Sequence, residues 1–395
     1  MLIAKKIRLI PTSEQEVMFW KSAGVARWAY NYFLSEQEKV YDEYLKNNKT
    51  GQAFIKEGEV RKYINNVLKK TTHTWLKEVS SNVMKQAIKD ANKSYQDFFK
   101  GLTKKPKFKS KHKSKLSFYV NYESLKRLHG GFQGEKLGFV KTAEPLPKLA
   151  KGMKYSNPRI SYDGKCWYLS VGYEVPERKE KLTNYRLGID LGVKDLAICS
   201  NGKVYKNINK TKRVKFLEKK LRREQRKLSR MINLNIKGYQ TKGKKRYPIW
   251  LKPLKECKNI QKQNKVIHFI HKKLNDIRNN YLHQTTTEIV KTKPSHIIME
   301  SLNVKGMMKN KHLSKAIAQQ KLAEFKRQIQ YKCKMRGIVF VETDKWFPSS
   351  KKCSCCGNMK HNLNLSDRVY KCDNCGLVID RDFNASINLA NYELA

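Results

Sequence analysis

The amino-acid sequence predicts a multidomain α/β protein that carries a small cysteine-rich insert near its C-terminus. The chain has 395 residues, which is enough for two or three domains with a sizeable core. Segments with strand-like alternation and segments with helical periodicity follow one another along the chain. Two C-x-x-C pairs, at 353–356 and 372–375, indicate a separate metal-binding module.

The chain is strongly basic. It contains 84 lysines and arginines but only 34 aspartates and glutamates, so its formal net charge is +50. This excess predicts a polyanionic partner. No apolar run of about 18 residues and no signal peptide is visible, so we expect no membrane association and a cytoplasmic location. The cysteines outside the two pairs are scattered and do not indicate a disulfide framework: Cys166, Cys199, Cys257, Cys333 and Cys355.

The first hundred residues predict one strand followed by helices. Residues 1–10 alternate loosely, and Thr12-Ser-Glu-Gln15 has the pattern of a capping box at a helix start. Helical periodicity then covers this first helix, about 59–69 and about 79–100. We favour core packing over base stacking for the aromatic residues of the first helix.

A basic segment from Lys104 to Lys115 separates these helices from a series of strands. It is suited to phosphate contacts, although a solvated linker explains it equally well. The strands are predicted at 116–120, 138–141, 159–162 and 166–175. We predict one β domain from 1–10 and 107–180, with a helical lobe at 11–106 inserted in it. The candidate nucleic-acid-binding residues are Lys104, Lys105, Lys107, Lys109, Lys111 and Lys113.

A second domain is predicted from residue 185. In the strand Gly188-Ile-Asp-Leu-Gly, Asp190 projects opposite to its apolar neighbours, and the missing side chain of Gly188 leaves room for a metal or a phosphate. Helices at about 211–232 and 255–291 should form an antiparallel hairpin, joined by a Gly/Lys-rich loop at 237–248. A strand at 295–300 ends in Glu300 and is followed by a helix at about 312–335 and a buried strand at 337–343.

Cys353, Cys356, Cys372 and Cys375 have the spacing of a zinc ribbon, and a glycine follows the last cysteine of each pair. Four thiolates would complete a tetrahedral shell around Zn²⁺ and leave no position for water, so the predicted metal is structural. Cys355 lies inside the first pair and is expected to be a spare thiol, although it could replace a neighbour.

Asp382, at the start of the last helix, could by itself be a helix N-cap. Together with Asp190 and Glu300 it forms a set of three carboxylates on separate elements. Such acids could hold two Mg²⁺ ions that activate a water and stabilise a leaving 3′ oxygen, and an RNase H-like sheet would bring them together. The Gly-Ile-Asp-Leu-Gly motif also begins actin-like and Hsp70-like ATPases, but the further glycine-rich phosphate loops of those proteins are missing here.

The chain resembles the transposon-encoded TnpB proteins, RNA-guided nucleases with RuvC-like domains that are held to be ancestral to type V CRISPR effectors. The resemblance covers nearly the whole chain. Family members often have Asp after the glutamate, where this chain has Ser301. The matching motifs are Arg8-Leu-Ile-Pro-Thr, Trp75-Leu-Lys-Glu-Val-Ser-Ser, Pro106-Lys-Phe-Lys-Ser-Lys, Gly188-Ile-Asp-Leu-Gly, Leu228-Ser-Arg, Glu300-Ser-Leu-Asn-Val, Ser349-Ser-Lys-Lys-Cys-Ser-Cys-Cys-Gly and Asp380-Arg-Asp-Phe-Asn-Ala-Ser.

The resemblance implies that Asp190, Glu300 and Asp382 are catalytic and bind Mg²⁺, and that the four paired cysteines bind zinc. It also implies a guide RNA copied from the transposon end, a short adjacent motif in the target, and cleavage of double-stranded DNA in a prokaryotic cytoplasm. The expected domains are a barrel-like β wedge with a helical recognition lobe, a RuvC-like domain at 185–345 and 377–395, and a zinc ribbon at 346–376. A monomer is expected.

Three alternatives remain open from the sequence. A miniature type V CRISPR effector would have a CRISPR array rather than a transposon end beside its gene. An RNA-guided repressor would bind DNA without cutting it, although the intact acids argue against this. A self-sufficient transposase would join strands without RNA, but no second catalytic module or tyrosine nucleophile supports it.

Overall fold

A computed structural model describes residues 1–111, 114–176, 180–243, 245–364 and 367–393. The chain divides into two units, Met1–Val175 and Pro176–Ala395. Of the candidate nucleic-acid-binding lysines, Lys113 lies outside the described residues.

The first unit contains a seven-stranded sheet in which all neighbouring strands are antiparallel. Strand β1 lies at its centre, because residues 2–8 pair with β7 and residues 9–10 pair with β5. The short strands β3 and β4 were not predicted from the sequence. In the order β2-β6-β7-β1-β5-β4-β3, the strands are β1 (Leu2–Ile10), β2 (Ser117–Tyr119), β3 (Lys126–Leu128), β4 (Gly131–Gly134), β5 (Gly138–Thr142), β6 (Ser156–Tyr162) and β7 (Trp167–Glu174).

Three α-helices complete this unit: α1 (Ser13–Lys46), α2 (Glu57–Tyr63) and α3 (Ser81–Phe99). The predicted capping box is confirmed, since the side chains of Thr12 and Gln15 each bond to the other's backbone N–H. A π-helical turn, Ile64–Leu68, continues α2.

The helices and the sheet of the first unit share one hydrophobic core. Phe19 on α1, for example, lies 5.2 Å from the Trp167 ring of β7 and 5.9 Å from Phe118 of β2. Trp20 contacts Trp167 of β7 and Tyr162 of β6 but remains partly exposed. The boundaries between a β domain and a helical lobe stay a prediction.

The second unit is built on a five-stranded sheet with the order β10-β9-β8-β13-β14. Strand β9 is antiparallel to both β8 and β10, whereas β8, β13 and β14 are mutually parallel. The carboxyl ends of β8, β13 and β14 therefore lie at the same edge. The strands are β8 (Arg186–Leu191), β9 (Asp195–Cys199), β10 (Val204–Lys206), β13 (His296–Met299) and β14 (Val339–Glu342).

Helices α4 (Lys212–Asn233) and α5 (Lys258–Lys291) form the predicted antiparallel pair. Glu224 of α4 contacts Gln263 of α5, while the earlier Glu218 contacts the later Arg278. The connection between them was predicted incorrectly as a loop. It is a hairpin of β11 (Ile236–Lys242) and β12 (Lys245–Trp250), because β-branched and aromatic residues interrupt its glycines and lysines.

Two further predictions for this unit were wrong. The helix expected at 312–335 is divided into α7 (Ser314–Gln320) and α8 (Leu322–Arg336) by Lys321, which has a left-handed backbone with φ 56°. The strand predicted at 337–343 was expected to be buried. It is β14, which lies at the edge of the sheet and exposes Val339. A short helix, α6 (Val304–Met307), precedes α7, and α9 (Arg381–Ala390) is the last helix. Within the described part of the chain, no helix is long and apolar enough to cross a membrane.

Candidate carboxylate site and four-cysteine cluster

Asp190 is the last residue but one of the central strand β8, and the apolar residues one and three positions before it face the core. Ile189 and Leu187 are buried against residues of α5 and α8, including Leu282 and Phe325. Because side chains alternate along a strand, Asp190 and Gly188 face the other side of the sheet. This is the side on which α9 lies.

Gly188 allows α9 to approach the sheet. A Cβ atom at this position would lie 1.9 Å from the Ser386 carbonyl oxygen and 2.4 Å from the Ala390 nitrogen. The prediction that Gly188 leaves room for a metal or phosphate is therefore wrong, because the backbone of α9 fills that space. Gly188 affects the carboxylates only indirectly. Because the two backbones approach closely, α9, whose first turn contains Asp382, is held against the strand that carries Asp190.

Asp380, and not Asp382, caps α9. The Asp380 carboxylate accepts hydrogen bonds from the backbone N–H groups of Asp382 and Phe383, both at 3.0 Å. The Asp382 side chain, in the first turn, contacts two arginines instead. Arg381 donates to Oδ1 of Asp382 at 3.1 and 3.2 Å, and the Arg368 guanidinium lies 3.6 Å from Oδ2.

Glu300 follows β13 directly and sits beside a groove of about 390 Å³. Leu191 from the neighbouring strand lines this groove, as do Lys326 and Arg327 from α8. Burial raises the pKa of the Glu300 carboxyl above its ordinary value. The groove thus combines an acid with cationic side chains that could contact a phosphate.

The three predicted acids lie close enough to interact electrostatically. Burial raises the pKa of Asp190 well above its ordinary value, and the charges of Asp382 and then Glu300 raise it further. Arg381 opposes this shift only in part. A half-buried carboxylate that is repelled by two others is stabilised in its ionised form by a bound cation. Carboxylates are the ligands that Mg²⁺ prefers, but Mg²⁺ binding and the catalytic role of the three acids stay predictions.

The four paired cysteines form one compact cluster. The ligand atoms of Cys353, Cys356, Cys372 and Cys375 all lie within 4.8 Å of one another, and two Sγ pairs are 3.6 Å apart. Tetrahedral zinc with bonds of about 2.3 Å requires sulfur separations of about 3.8 Å, so the cluster fits this metal. Cys355 is exposed and is not part of the cluster, as expected of a spare thiol.

Both cysteine pairs lie in the same kind of turn. The N–H of Gly357 bonds to the Cys353 carbonyl, and the N–H of Gly376 bonds to the Cys372 carbonyl. These glycines have φ values of 76° and 70°, a backbone conformation that other residues adopt only at a cost. This conformation explains why a glycine follows the last cysteine of each pair.

Two buried asparagines of α9 hold the cysteine module, and sequence analysis did not identify them. Asn384 accepts a bond from the Ser354 N–H at 3.0 Å and donates to the Lys352 carbonyl at 2.8 Å. Asn388 donates to the same carbonyl at 2.6 Å and to that of Ser349 at 2.7 Å. Their spacing of four residues in Asn-Ala-Ser-Ile-Asn was the available signal, since it places both on one helix face.

The candidate lysines of the basic segment differ in their environments. Lys104, Lys107 and Lys111 are exposed, and Lys105 pairs with Glu38 at 3.2 Å. Lys109 is engaged within the protein, since its ammonium lies 3.5 Å from the centre of the Tyr30 ring and burial lowers its pKa. It is thus a poorer candidate for a phosphate contact than its exposed neighbours. Whether any of them binds nucleic acid stays a prediction.

Three family models match the chain. Residues 1–46 match a "Helix-turn-helix domain" model of OrfB_IS605, residues 170–311 match OrfB_IS605, described as "Probable transposase", and residues 323–389 match "Cas12f1-like, TNB domain". In this chain, residues 1–46 form strand β1 and one continuous helix, α1.

The chain is also similar over its length to curated proteins. It is 29% identical to "Putative RNA-guided DNA endonuclease" of Streptomyces pristinaespiralis, covering 99% of this chain and 89% of that protein. It is 27% identical to "Putative RNA-guided DNA endonuclease InsQ" of Escherichia coli, covering 98% and 91%. Among solved structures, a Cas12f1-sgRNA-target DNA complex contains a chain of similar fold, with a TM-score of 0.54, 15% identity and 99% coverage of both chains.

The fold and the two clusters define a multidomain α/β protein whose C-terminal unit combines a carboxylate-bearing sheet with a four-cysteine module. The family models and the full-length relatives narrow the comparison further. The chain resembles the OrfB_IS605 family and, over nearly its whole length, proteins named as putative RNA-guided DNA endonucleases.

Proposed function

We propose that this protein is an RNA-guided DNA endonuclease of a mobile element, which cleaves double-stranded DNA beside a short adjacent motif. The observation that carries the proposal is that Asp190 and Glu300 follow paired residues of two neighbouring parallel strands, while α9, which carries Asp382, packs against the first of these strands. The relatives that carry this activity in their names are similar over nearly the whole chain, which supports the same assignment here.

The nuclease domain would be RuvC-like, a variant of the RNase H-like fold. The support is the order and direction of the five strands, with three antiparallel strands followed by two that are parallel to the first. This topology brings the ends of β8 and β13 to one edge, where Asp190 and Glu300 lie. In the N-terminal unit, the antiparallel sheet would serve as the wedge and the helices as the recognition lobe.

The three carboxylates would hold the catalytic Mg²⁺ ions. When bound, two such ions would supply an activated water and charge stabilisation for the leaving 3′ oxygen. Asp190, on β8, and Glu300, directly after β13, lie on neighbouring parallel strands. Arg381 and Arg368 orient the Asp382 carboxylate, and the cationic side chains that line the groove beside Glu300 would contact the phosphates of the strand to be cut.

Zinc in the four-cysteine cluster would be structural, because four thiolates leave no open coordination position. The cluster stabilises a short module that has only a small hydrophobic core around Tyr370. Hydrogen bonds of Asn384 and Asn388 connect that module to α9, whose first turn contains Asp382. Metal binding would in this way also fix the position of one carboxylate.

The proposed partners are a guide RNA from the transposon end and a target DNA duplex. A net charge of +50 suits a protein that encloses an RNA–DNA heteroduplex, whose backbone is recognised mainly by its phosphates. The exposed lysines Lys104, Lys107 and Lys111 would contribute to these contacts. We propose that the protein acts as a monomer.

The test is to purify the protein from cells that carry its native flanking DNA and to sequence the RNA that accompanies it. The complex is then incubated with Mg²⁺ and a duplex library that matches this RNA. We expect cleavage beside one short motif, its loss in Asp190→Ala, and its retention in Asp276→Ala, an exposed acid on α5. A specific RNA without cleavage would favour a guided repressor, and the absence of any specific RNA would overturn the proposal.

A further inference from the structure

The edge of the sheet at which Asp190 and Glu300 lie is here called the carboxylate edge. The segment that connects β14 to the cysteine module leaves the sheet at this edge. In the parallel register, Ile189, Met299 and Glu342 lie side by side, so the next residues, Asp190, Glu300 and Thr343, all follow at the same level. The Thr343 N–H bonds to the Met299 carbonyl at 3.0 Å, which continues the ladder by one residue. Trp346 comes three positions later.

Trp346 is 83% exposed, the highest fraction among the large hydrophobic side chains in the described part of the chain. It is therefore not a core residue. The Lys345 ammonium lies 4.7 Å from the centre of the indole ring, which leaves an aromatic surface next to a positive charge. An aromatic face and an adjacent cation are the two features that bind a base and its phosphate in single-stranded nucleic acid.

The residues around Trp346 are fixed, although its own ring is not packed. The Phe347 ring contacts the Tyr392 ring edge-on at 4.9 Å, and the Tyr392 hydroxyl donates to the Asp344 carboxylate at 2.8 Å. The N–H of Phe347 bonds to the Asp344 carbonyl at 3.1 Å and closes a turn around Lys345 and Trp346. The chain therefore presents the indole on an anchored turn, which lowers the entropy lost when a ligand binds.

We propose that Trp346 stacks on an unpaired nucleobase of the strand to be cut and places the neighbouring phosphate at the carboxylate edge, with Lys345 contacting the backbone. This inference rests on the proposed nuclease function. A nucleobase is favoured over a protein partner because the ring stands beside a cation, three residues beyond the level of Asp190, Glu300 and Thr343, in a chain of net charge +50.

The test compares Trp346→Ala, Trp346→Phe and Trp346→Leu, all loaded with the co-purified RNA. Loss of one stacked base corresponds to a fall of roughly 5- to 150-fold in the single-turnover cleavage rate. We expect this fall for alanine and leucine, while phenylalanine, which keeps an aromatic face, restores most of the rate. Target-duplex affinity should remain within about twofold, because stacking concerns the unpaired strand. Phe216→Ala, which removes an exposed ring from α4, serves as the matched control and should cleave as the wild type does.

A second measurement does not depend on cleavage. A target in which 2-aminopurine replaces bases near the cut is bound with Ca²⁺ in place of Mg²⁺, and fluorescence is recorded. We expect quenching at one position in the wild type and in Trp346→Phe but not in Trp346→Leu. Equal rates in all variants, or a phenylalanine variant as slow as the leucine variant, would overturn the stacking proposal. Failure of the wild type to cleave would instead overturn the proposed function.

Discussion

At the residue scale, the contrast between Asp380 and Asp382 shows how two nearby acids acquire different roles. Asp380 satisfies the N–H groups at the start of α9, which leaves the Asp382 carboxylate available for side-chain partners. Without that cap, Asp382 would be the next acid able to bond to the helix terminus. The capping acid is therefore part of the reason that the second acid is free to pair with Arg381 and Arg368.

Lys332 is a buried cation between α5 and α8. Its ammonium donates to the His283 carbonyl at 2.9 Å and to the hydroxyls of Thr286 and Thr287 at 2.6 and 2.7 Å. Burial, followed by the charge of Arg336, lowers its pKa from 10.5 to about 8. Between these two values the unfolded chain binds more protons than the folded one, so stability should rise with pH.

We expect the free energy of unfolding of the wild type to increase by on the order of 2 kcal/mol between about pH 8 and 10 relative to Lys332→Met. Below about pH 8 this contribution is absent, because Lys332 is then charged in both states. Denaturant titrations at several pH values measure the difference. Lys334→Met, which removes an exposed lysine from the same helix, should keep the wild-type dependence. An identical pH dependence in Lys332→Met and wild type would contradict this explanation.

At the element scale, the contact between β8 and α9 determines where Asp382 lies. We expect Gly188→Ala to destabilise the protein by about 1 to 3 kcal/mol, because its Cβ would overlap the Ser386 carbonyl oxygen and force α9 away from the strand. Cleavage should decrease more than target binding. Thermal unfolding and single-turnover rates provide the two measurements.

Gly24→Ala is the matched control for that substitution. Gly24 lies inside α1, and a Cβ atom there would have no other atom within 4 Å. Alanine should therefore raise stability by about 0.5 to 1 kcal/mol, since it restricts the unfolded chain more than glycine does. If Gly188→Ala were equally harmless, the close approach of α9 would not be needed.

The cysteine module provides a second test at this scale. Cys372→Ser should lower the bound zinc from one equivalent to nearly none and unfold the module, because zinc-peptide binding contributes on the order of 10 kcal/mol. Metal analysis and proteolysis between Ser349 and Asp380 measure these effects. Cys355→Ser should leave both unchanged, because Cys355 lies outside the cluster. Unchanged zinc content in Cys372→Ser would reject the site.

At the scale of the whole molecule, charge dominates the expected behaviour with nucleic acid. Each phosphate contact contributes about 0.9 to the slope of log affinity against log salt for duplex DNA. If Lys104, Lys107 and Lys111 contact phosphates, replacing all three by alanine should lower the slope for target binding by up to about 3. Replacing the same three by arginine keeps the charge and should preserve the slope. A slope unchanged by alanine would favour the solvated-linker alternative.

Much of the fold and of the candidate site could be predicted because the signals are local. The capping box at Thr12, the four-cysteine spacing and the strand around Asp190 each depend on residues that are close in sequence. The β11–β12 hairpin and the break at Lys321 could not be predicted in this way. In each, contacts or a backbone conformation overcame a local preference for loop or helix.

By itself, the sequence determined the charge, the spacing of the four paired cysteines and the approximate order of helices and strands. Only the tertiary structure decided that Gly188 admits a helix backbone and not a ligand, that Asp380 caps α9, and that Trp346 is exposed. Each of these depends on which atoms from distant parts of the chain occupy the same space. The spacing of residues in a sequence describes neighbours along the chain, whereas packing depends on contacts between residues that are far apart in the chain.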